Sequence, residues 1–383
     1  MRITPTKLVA VTVCFVLALL CGAGEVHAQG NSGGDPPEVA AGAWALVDAG
    51  SGEYLAGEDA SERLAVASTA KVMVTLVTLE EADLDEVATV SEDAASFAVP
   101  LYSNVGLYPG DTLTVRELLM AGMISSGDDA TYALAEHVGE GNVDAFVAKM
   151  NRKAAELNLS DTHFENPIGL DERGQYSSAR DLLSMTLAAS EYPEFREMAG
   201  TRQAEITTQD RVIPLTNTNE LLFSYPSANG VKTGTTPAAG ECLVSSAASE
   251  DESYVAVMLD ARQDRFASST RILEHGFAAY DRRNLIVAEQ RYAKVGVPFR
   301  RGESIELVAG ESVESLVENG SKVEREVEVM GELPPSAGPG TRLGEVVVRV
   351  NGELMGESPL VARKGYEKAS LGERVWYTVK EFF

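Results

Sequence analysis

The chain predicts an α/β-type (α+β) fold: an antiparallel sheet with helices on both faces, then a small β-rich domain and a terminal amphipathic helix. Three observations predict it. Apolar runs near residue 45 and again over 242–259 are bounded by turn residues, as antiparallel strands are. Between them lie segments with apolar residues at helical spacing. After about residue 290 short β-like runs take over, with Asn-Gly at 319–320 and 351–352.

The 383 residues suffice for more than one domain. A formal charge of −26 argues against a nucleic-acid partner and for a well-solvated acidic surface. Residues 1–28 read as a signal peptide, with a basic start at Arg2 and Lys7, an apolar run from Leu8, and a small-residue cleavage site at Val26-His27-Ala28. The protein is therefore expected to be exported, to the outer face of the cytoplasmic membrane and the cell wall. Cys14 and Cys21 leave with that segment, and Cys242 alone admits no internal disulfide. His137, His163 and His275 lie far apart without metal-ligand spacing, which argues against a zinc peptidase and a Ser-His-Asp hydrolase. No cofactor is expected.

In order along the chain, residues 29–40 form a flexible Gly/Ser/Pro-rich lead-in. Gly42–Asp48 and Glu53–Ala56 form a hairpin. Ala65-Val-Ala-Ser-Thr-Ala-Lys71 opens a buried helix, with Ser68 in its first turn and an apolar run from Val72 to Leu79 behind it. Leu113–Ile124 is helical, Ser125–Gly127 breaks it, and Asp128 or Asp129 caps a helix over 130–138. Another helix spans 143–157, a loop 162–171, and a capped helix starts near Ser177. Residues 213–225 are irregular. Strands over 242–248 and 254–259 follow, then a closing helix over 266–280. The expected catalytic domain is thus 41–288 and the β-rich domain 289–364. In 365–383, Leu371, Val375, Val379, Phe382 and Phe383 share one helical face, which suits a helix lying in the plane of a membrane surface.

Chemistry concentrates in three motifs. Ser68 and Lys71, three apart, share a helix face. A serine near a helix start meets free N–H groups and the positive end of the dipole, and a desolvated lysine beside it can take its proton. Ser125-Ser-Gly-Asp-Asp-Ala130 lies between two helices, and Val231-Lys-Thr-Gly-Thr-Thr236 precedes a strand. S-x-x-K, an S-x-N-like turn and K-T-G in that order are the signature of penicillin-binding proteins and serine β-lactamases.

From about residue 40 onward the chain resembles the low-molecular-mass penicillin-binding proteins that are D-alanyl-D-alanine carboxypeptidases. The resemblance also includes His163-Phe to Gly169-Leu-Asp171, Gly174 to Asp181 and Asn229-Gly-Val-Lys-Thr-Gly234. It implies that Ser68 attacks the terminal D-Ala-D-Ala amide of peptidoglycan stem peptides, that β-lactams acylate it, that Lys71 is the base and that Ser126 relays a proton to the leaving amine. Lys232 would supply positive charge near Ser126 and the substrate carboxylate. The N–H groups of Ser68 and Thr235 would form the oxyanion hole. The strand carrying Lys232, Thr233 and Gly234 would bind the peptide edge-on. Thr233, with Arg265 at the family's arginine position and Arg262 close by, would hold the terminal carboxylate. One position departs: Asp128 stands where the family has asparagine. A carboxylate cannot donate to a substrate carbonyl, but it can pair with Lys71 or Lys232. Within the same fold a β-lactamase or a D,D-endopeptidase is the alternative, but the middle region offers Glu165-Asn166 and no clear E-x-x-L-N pattern. A non-catalytic wall-binding module disabled by Asp128 is the alternative of another class.

Overall fold

The computed structural model describes residues 36–300 and 302–381. The expected signal peptide, most of the lead-in, and Phe382 and Phe383 lie outside the described residues.

Five strands, β1 (Ala43–Asp48), β2 (Tyr54–Glu58), β3 (Ala228–Thr236), β4 (Gly240–Ala248) and β5 (Ser253–Ala261), form the main sheet in the order β2-β1-β5-β4-β3. All neighbours are antiparallel. Every residue of β1 is buried, as both faces of the sheet are covered. The pleat sends alternate side chains to two cores. Ala43, Ala45, Val47, Val255 and Val257 join one cluster, and Trp44, Leu46, Tyr254, Ala256 and Met258 join the other.

The first cluster holds the helices α1 (Lys71–Glu81), α2 (Val115–Ile124), α3 (Asp128–Val138), α4 (Val143–Glu156), α5 (Ala179–Ser190) and α6 (Pro193–Gly200). On the other face lies α7 (Arg265–Ala279), whose Ile272 and Leu273 pack in the second cluster. Eight consecutive residues of α1, Lys71 to Thr78, are buried, so this helix is central to the first layer. Local sequence sets the other helix starts. Thr114 and Glu117 form a reciprocal capping box for α2, and Asn142, Ser178 and Asp264 cap α4, α5 and α7.

Three expectations need correction. Ser68 sits in a 3₁₀ turn, Ala67–Ala70, that feeds α1, rather than in the first α-helical turn. Helix α3 begins at Asp128 with Gly127 as its N-cap, so neither aspartate caps it through its side chain. Part of the stretch expected to be irregular is a strand, Val212–Thr216, paired with Gln203–Thr207. Pro214 hides it from a propensity reading, and a two-stranded edge pair tolerates it.

Beyond α7, β6 (Tyr280–Ile286) pairs with β9 (Val313–Glu318). Strands β7 (Arg291–Gly296), β8 (Ser304–Ala309), β10 (Val323–Val329), β11 (Arg342–Val350) and β12 (Glu353–Ala362) form a second sheet in the order β7-β8-β12-β11-β10. Leu307, Leu343, Val346, Val348 and Leu360 fill its own core. The last helix, α8 (Leu371–Glu381), starts with a reciprocal Ser370–Glu373 pair. Its Tyr377 meets Phe299 edge-on at 5.9 Å, and the Arg374 guanidinium lies 4.8 Å from the same ring. Leu371, Val375, Trp376 and Val379 are exposed.

Candidate active site

The site forms where α1, the α2–α3 turn, the loop 163–176 and strand β3 meet. Lys71 is the first residue of α1, 1% exposed, and its ammonium donates to Ser68 Oγ (2.8 Å), Asp128 Oδ1 (2.7 Å) and the Ile168 carbonyl (3.1 Å). Asp128, at 5% exposure, is nearly as buried. Of the two partners open to Asp128 on sequence grounds, the structure selects Lys71.

Two non-glycine residues of the site hold left-handed backbone: Ala67, just before Ser68, with φ 49°, and Ser126 with φ 59°. Such conformations persist where the surroundings enforce them. Around Ala67 the enforcement comes from two glycines. A β-carbon on Gly234 would lie 3.0 Å from each of Ala67 Cβ, Ser68 N and Val66 O. A β-carbon on Gly169 would collide with the Ala67 carbonyl. The Ser126 turn is fixed by its neighbours: Gly127 N–H donates to Ala121 O (3.0 Å), Asp128 N–H to Ser103 O (2.7 Å) and Thr218 N–H to Ile124 O (3.1 Å).

Asp129 supports the turn from behind. It is fully buried and accepts from the N–H groups of Val105, Gly106, Leu107 and Ala130 at 2.9–3.2 Å. Asn166 and Gln175 do the same for the 163–176 loop. Asn166 Oδ1 accepts from Gly169 N–H (2.9 Å) and Leu170 N–H (3.0 Å), and Gln175 Oε1 accepts from Glu165 and Asn166 N–H (both 2.9 Å). This network presents the Ile168 carbonyl to Lys71. Glu165 itself meets His163 at 3.4 Å.

Lys232 on β3 is 1% exposed and donates to the Thr233 carbonyl at 3.0 Å. Burial holds its amine well below the usual lysine range, the Lys71 and Arg265 charges push the same way, and Asp128 opposes them. The Lys71, Asp128 and Arg265 charges therefore all act on Lys232. Thr233 Oγ1 pairs with Thr218 Oγ1 at 2.6 Å. Arg265 Nη1 donates to Thr235 Oγ1 (2.9 Å) and to the Gly234 carbonyl (3.0 Å). Arg262, by contrast, is exposed and turned to Asp260 at 3.2 Å, so Arg265 is the arginine on the strand. Cys242 lies buried in β4 opposite Gly234, and burial pushes its thiol up to about 11, away from the thiolate that reactivity needs.

The arrangement brings a hydroxyl into contact with a buried amine and sets both beside the terminal strand of the main sheet, β3. Ser68, Lys71 and Asp128 form one bonded group, Lys232 and Arg265 couple to it electrostatically, and Ser126 lies two residues from Asp128 in the facing turn. The residues missed by sequence reasoning are Asp129, Asn166, Gln175 and Gly169. Asp129 was read only as a candidate helix cap, and Asn166, Gly169 and Gln175 lay in stretches that carried the family resemblance without a role of their own.

Comparison with known proteins gives the family. The family model described as D-alanyl-D-alanine carboxypeptidase, of the Peptidase_S11 family, matches residues 31–263. The chain belongs to this family. As a D-alanyl-D-alanine carboxypeptidase family member it is a serine peptidase whose family acts on peptidoglycan peptides and binds penicillin. It is 35% identical over 335 residues to the D-alanyl-D-alanine carboxypeptidase DacF of Bacillus subtilis, covering 85% of each chain. It is 32% identical to DacC of Escherichia coli, covering 89% of this chain and 88% of that one. Among solved structures, the Streptomyces K15 DD-transpeptidase superposes with a TM-score of 0.61 at 33% identity, over 64% of this chain and 100% of that one. DacD of Francisella tularensis gives 0.66 at 25% identity, over 88% and 95%.

Proposed function

We propose that this serine-type D-Ala-D-Ala carboxypeptidase removes the terminal D-alanine from stem pentapeptides through an acyl-enzyme on Ser68. The observation that carries the reading is the 2.8 Å contact between Lys71 Nζ and Ser68 Oγ in a buried site. The substrate adds as a strand along the free edge of β3. Ser68 Oγ attacks the penultimate carbonyl carbon while Lys71 takes its proton. The developing oxyanion sits between the N–H groups of Ser68 and Thr235. Ser126 passes a proton to the departing D-alanine amine, and water then releases the acyl group.

The terminal carboxylate binds against Thr233 and Arg265, with the Thr235 hydroxyl already held by Arg265. Burial disfavours Lys232 as a cation, and an arriving carboxylate supplies counter-charge beside it. Glu165, engaged with His163, gives no support to a lactamase-like water-activating role.

The second sheet and α8 bring the catalytic sheet to the outer face of the cytoplasmic membrane, following export. Support comes from the exposed Leu371, Val375, Trp376 and Val379 of α8, whose Tyr377 and Arg374 instead pack on Phe299. No helix among the described residues is long and apolar enough to cross a membrane.

The test is mass spectrometry of the protein after exposure to penicillin. A single adduct on the peptide containing Ser68 is expected. An adduct elsewhere, or none, would refute the acyl-enzyme.

A further inference from the structure

We propose that Asp128 is the proton acceptor that frees Lys71 to act as base, an inference that rests on the acyl-enzyme reading above. An ammonium that donates to Ser68 Oγ, Asp128 Oδ1 and the Ile168 carbonyl has no lone pair with which to receive the Ser68 proton. It must first lose one. Lys71 is 1% exposed, so bulk water is a poor recipient. Of its three partners, the hydroxyl and the carbonyl cannot keep a proton, and the carboxylate at 2.7 Å can.

The other charged groups facing this point do not compete. Lys232 comes in from β3, but a proton there would create a cation that burial and the Arg265 charge oppose. Arg265, from α7, has only donors to offer. Asp129 follows Asp128 in α3, yet its oxygens are taken by four backbone N–H groups. An asparagine here, as in an S-x-N turn, could not accept a proton.

The step balances within the site. When the peptide covers the cleft and displaces water, the separated charges lose solvation, and the ammonium proton moves to the carboxylate. The pair becomes a carboxylic acid and a free amine. The amine lone pair then takes the Ser68 proton as the Oγ–carbon bond forms and the carbonyl electron pair moves to oxygen. No proton leaves for solvent before acylation.

The pH dependence of Ser68 acylation by a fluorescent penicillin tests this on the full-length protein. For wild type the second-order rate is flat from about pH 6 to about pH 9, because no net proton is lost. Asp128→Asn forces Lys71 to deprotonate to solvent. Its rate at neutral pH is expected to fall about tenfold or more and to rise roughly tenfold per pH unit. Asp128→Glu, which keeps the acceptor, retains the flat profile at a lower rate. An Asp128→Asn variant that acylates as fast as wild type or faster at neutral pH overturns the proposal, since Asp128 would then be a spectator or a brake. So does a Glu variant that titrates like the Asn variant. Wild type that takes up no label refutes the acyl-enzyme reading itself, a result distinct from either.

Discussion

Gly234 and Ser68 meet backbone to backbone: a β-carbon on the glycine would stand 3.0 Å from the serine amide nitrogen. The glycine of the K-T-G motif thus has a steric reason. It lets β3 close on the Ser68 turn, as the proposed oxyanion hole of Ser68 and Thr235 N–H groups requires. Its neighbours are mostly backbone atoms, which cannot swing aside as a long side chain would. Gly234→Ala is expected to slow penicillin acylation about 100-fold, as an ångström of misplacement does, while costing about 1–3 kcal/mol of stability. Acylation kinetics beside a thermal melt check this. Wild-type kinetics in a folded variant would mean that the close approach is incidental.

Lys232 gives a pH prediction with a definite sign. Its folded-state proton affinity is depressed, chiefly by burial. Between the folded value and the unfolded lysine value of about 10.4, the unfolded chain binds the extra proton, so stability rises with pH across that window. The penalty is fully present below the folded value and fades as pH climbs toward the unfolded one. Lys232→Met removes it. Its Tm should exceed that of wild type by a few degrees near neutral pH, with the gap closing toward about pH 10, while activity is lost. Parallel melting curves at every pH would contradict the assignment.

Adjacent aspartates separate chemistry from scaffold. Asp128 bonds to Lys71, whereas Asp129 serves four amide donors of its own turn and the 105–107 segment. Asp129→Asn turns an amine toward those donors and should cost about 3 kcal/mol. A Tm drop of roughly 5–10 °C follows. Asp128→Asn keeps an acceptor oxygen for the Lys71 amine and leaves the amide bonds of the turn intact, so although it breaks a buried ion pair its Tm should fall less. Calorimetry of the two variants side by side decides it, and equal losses would dissolve the distinction.

The terminal helix is testable apart from catalysis. Replacing the exposed Val375 and Val379 by glutamate puts charge on the apolar stripe. Sedimentation with anionic phospholipid vesicles should weaken about tenfold or more, with release of D-alanine from a soluble peptide unchanged. Undiminished vesicle binding would assign that stripe another role.

The legible part of this protein lay in local patterns. The three-residue step from Ser68 to Lys71, the helical spacing over 113–124 and the apolar runs that form β1, β4 and β5 are short-range signals, and each appears where the pattern placed it. What stayed hidden depends on distant partners. The left-handed Ala67 follows from Gly169 and Gly234, roughly one hundred or more residues away in the chain. Arg265 is told from Arg262 only by which side chain turns onto β3. The pairing of Asp128 with Lys71 rather than Lys232 required the packing of α3 against α1. The strand at Val212–Thr216 was masked because Pro214 breaks the propensity pattern while leaving an edge pairing intact.

The most direct measurement is D-alanine release from a pentapeptide ending in D-Ala-D-Ala, by wild type and Ser68→Ala. The account predicts one D-alanine per peptide for wild type, and a loss of about 1,000-fold or more when the hydroxyl is removed. Release that persists in Ser68→Ala, or a folded wild type that releases none, would contradict it.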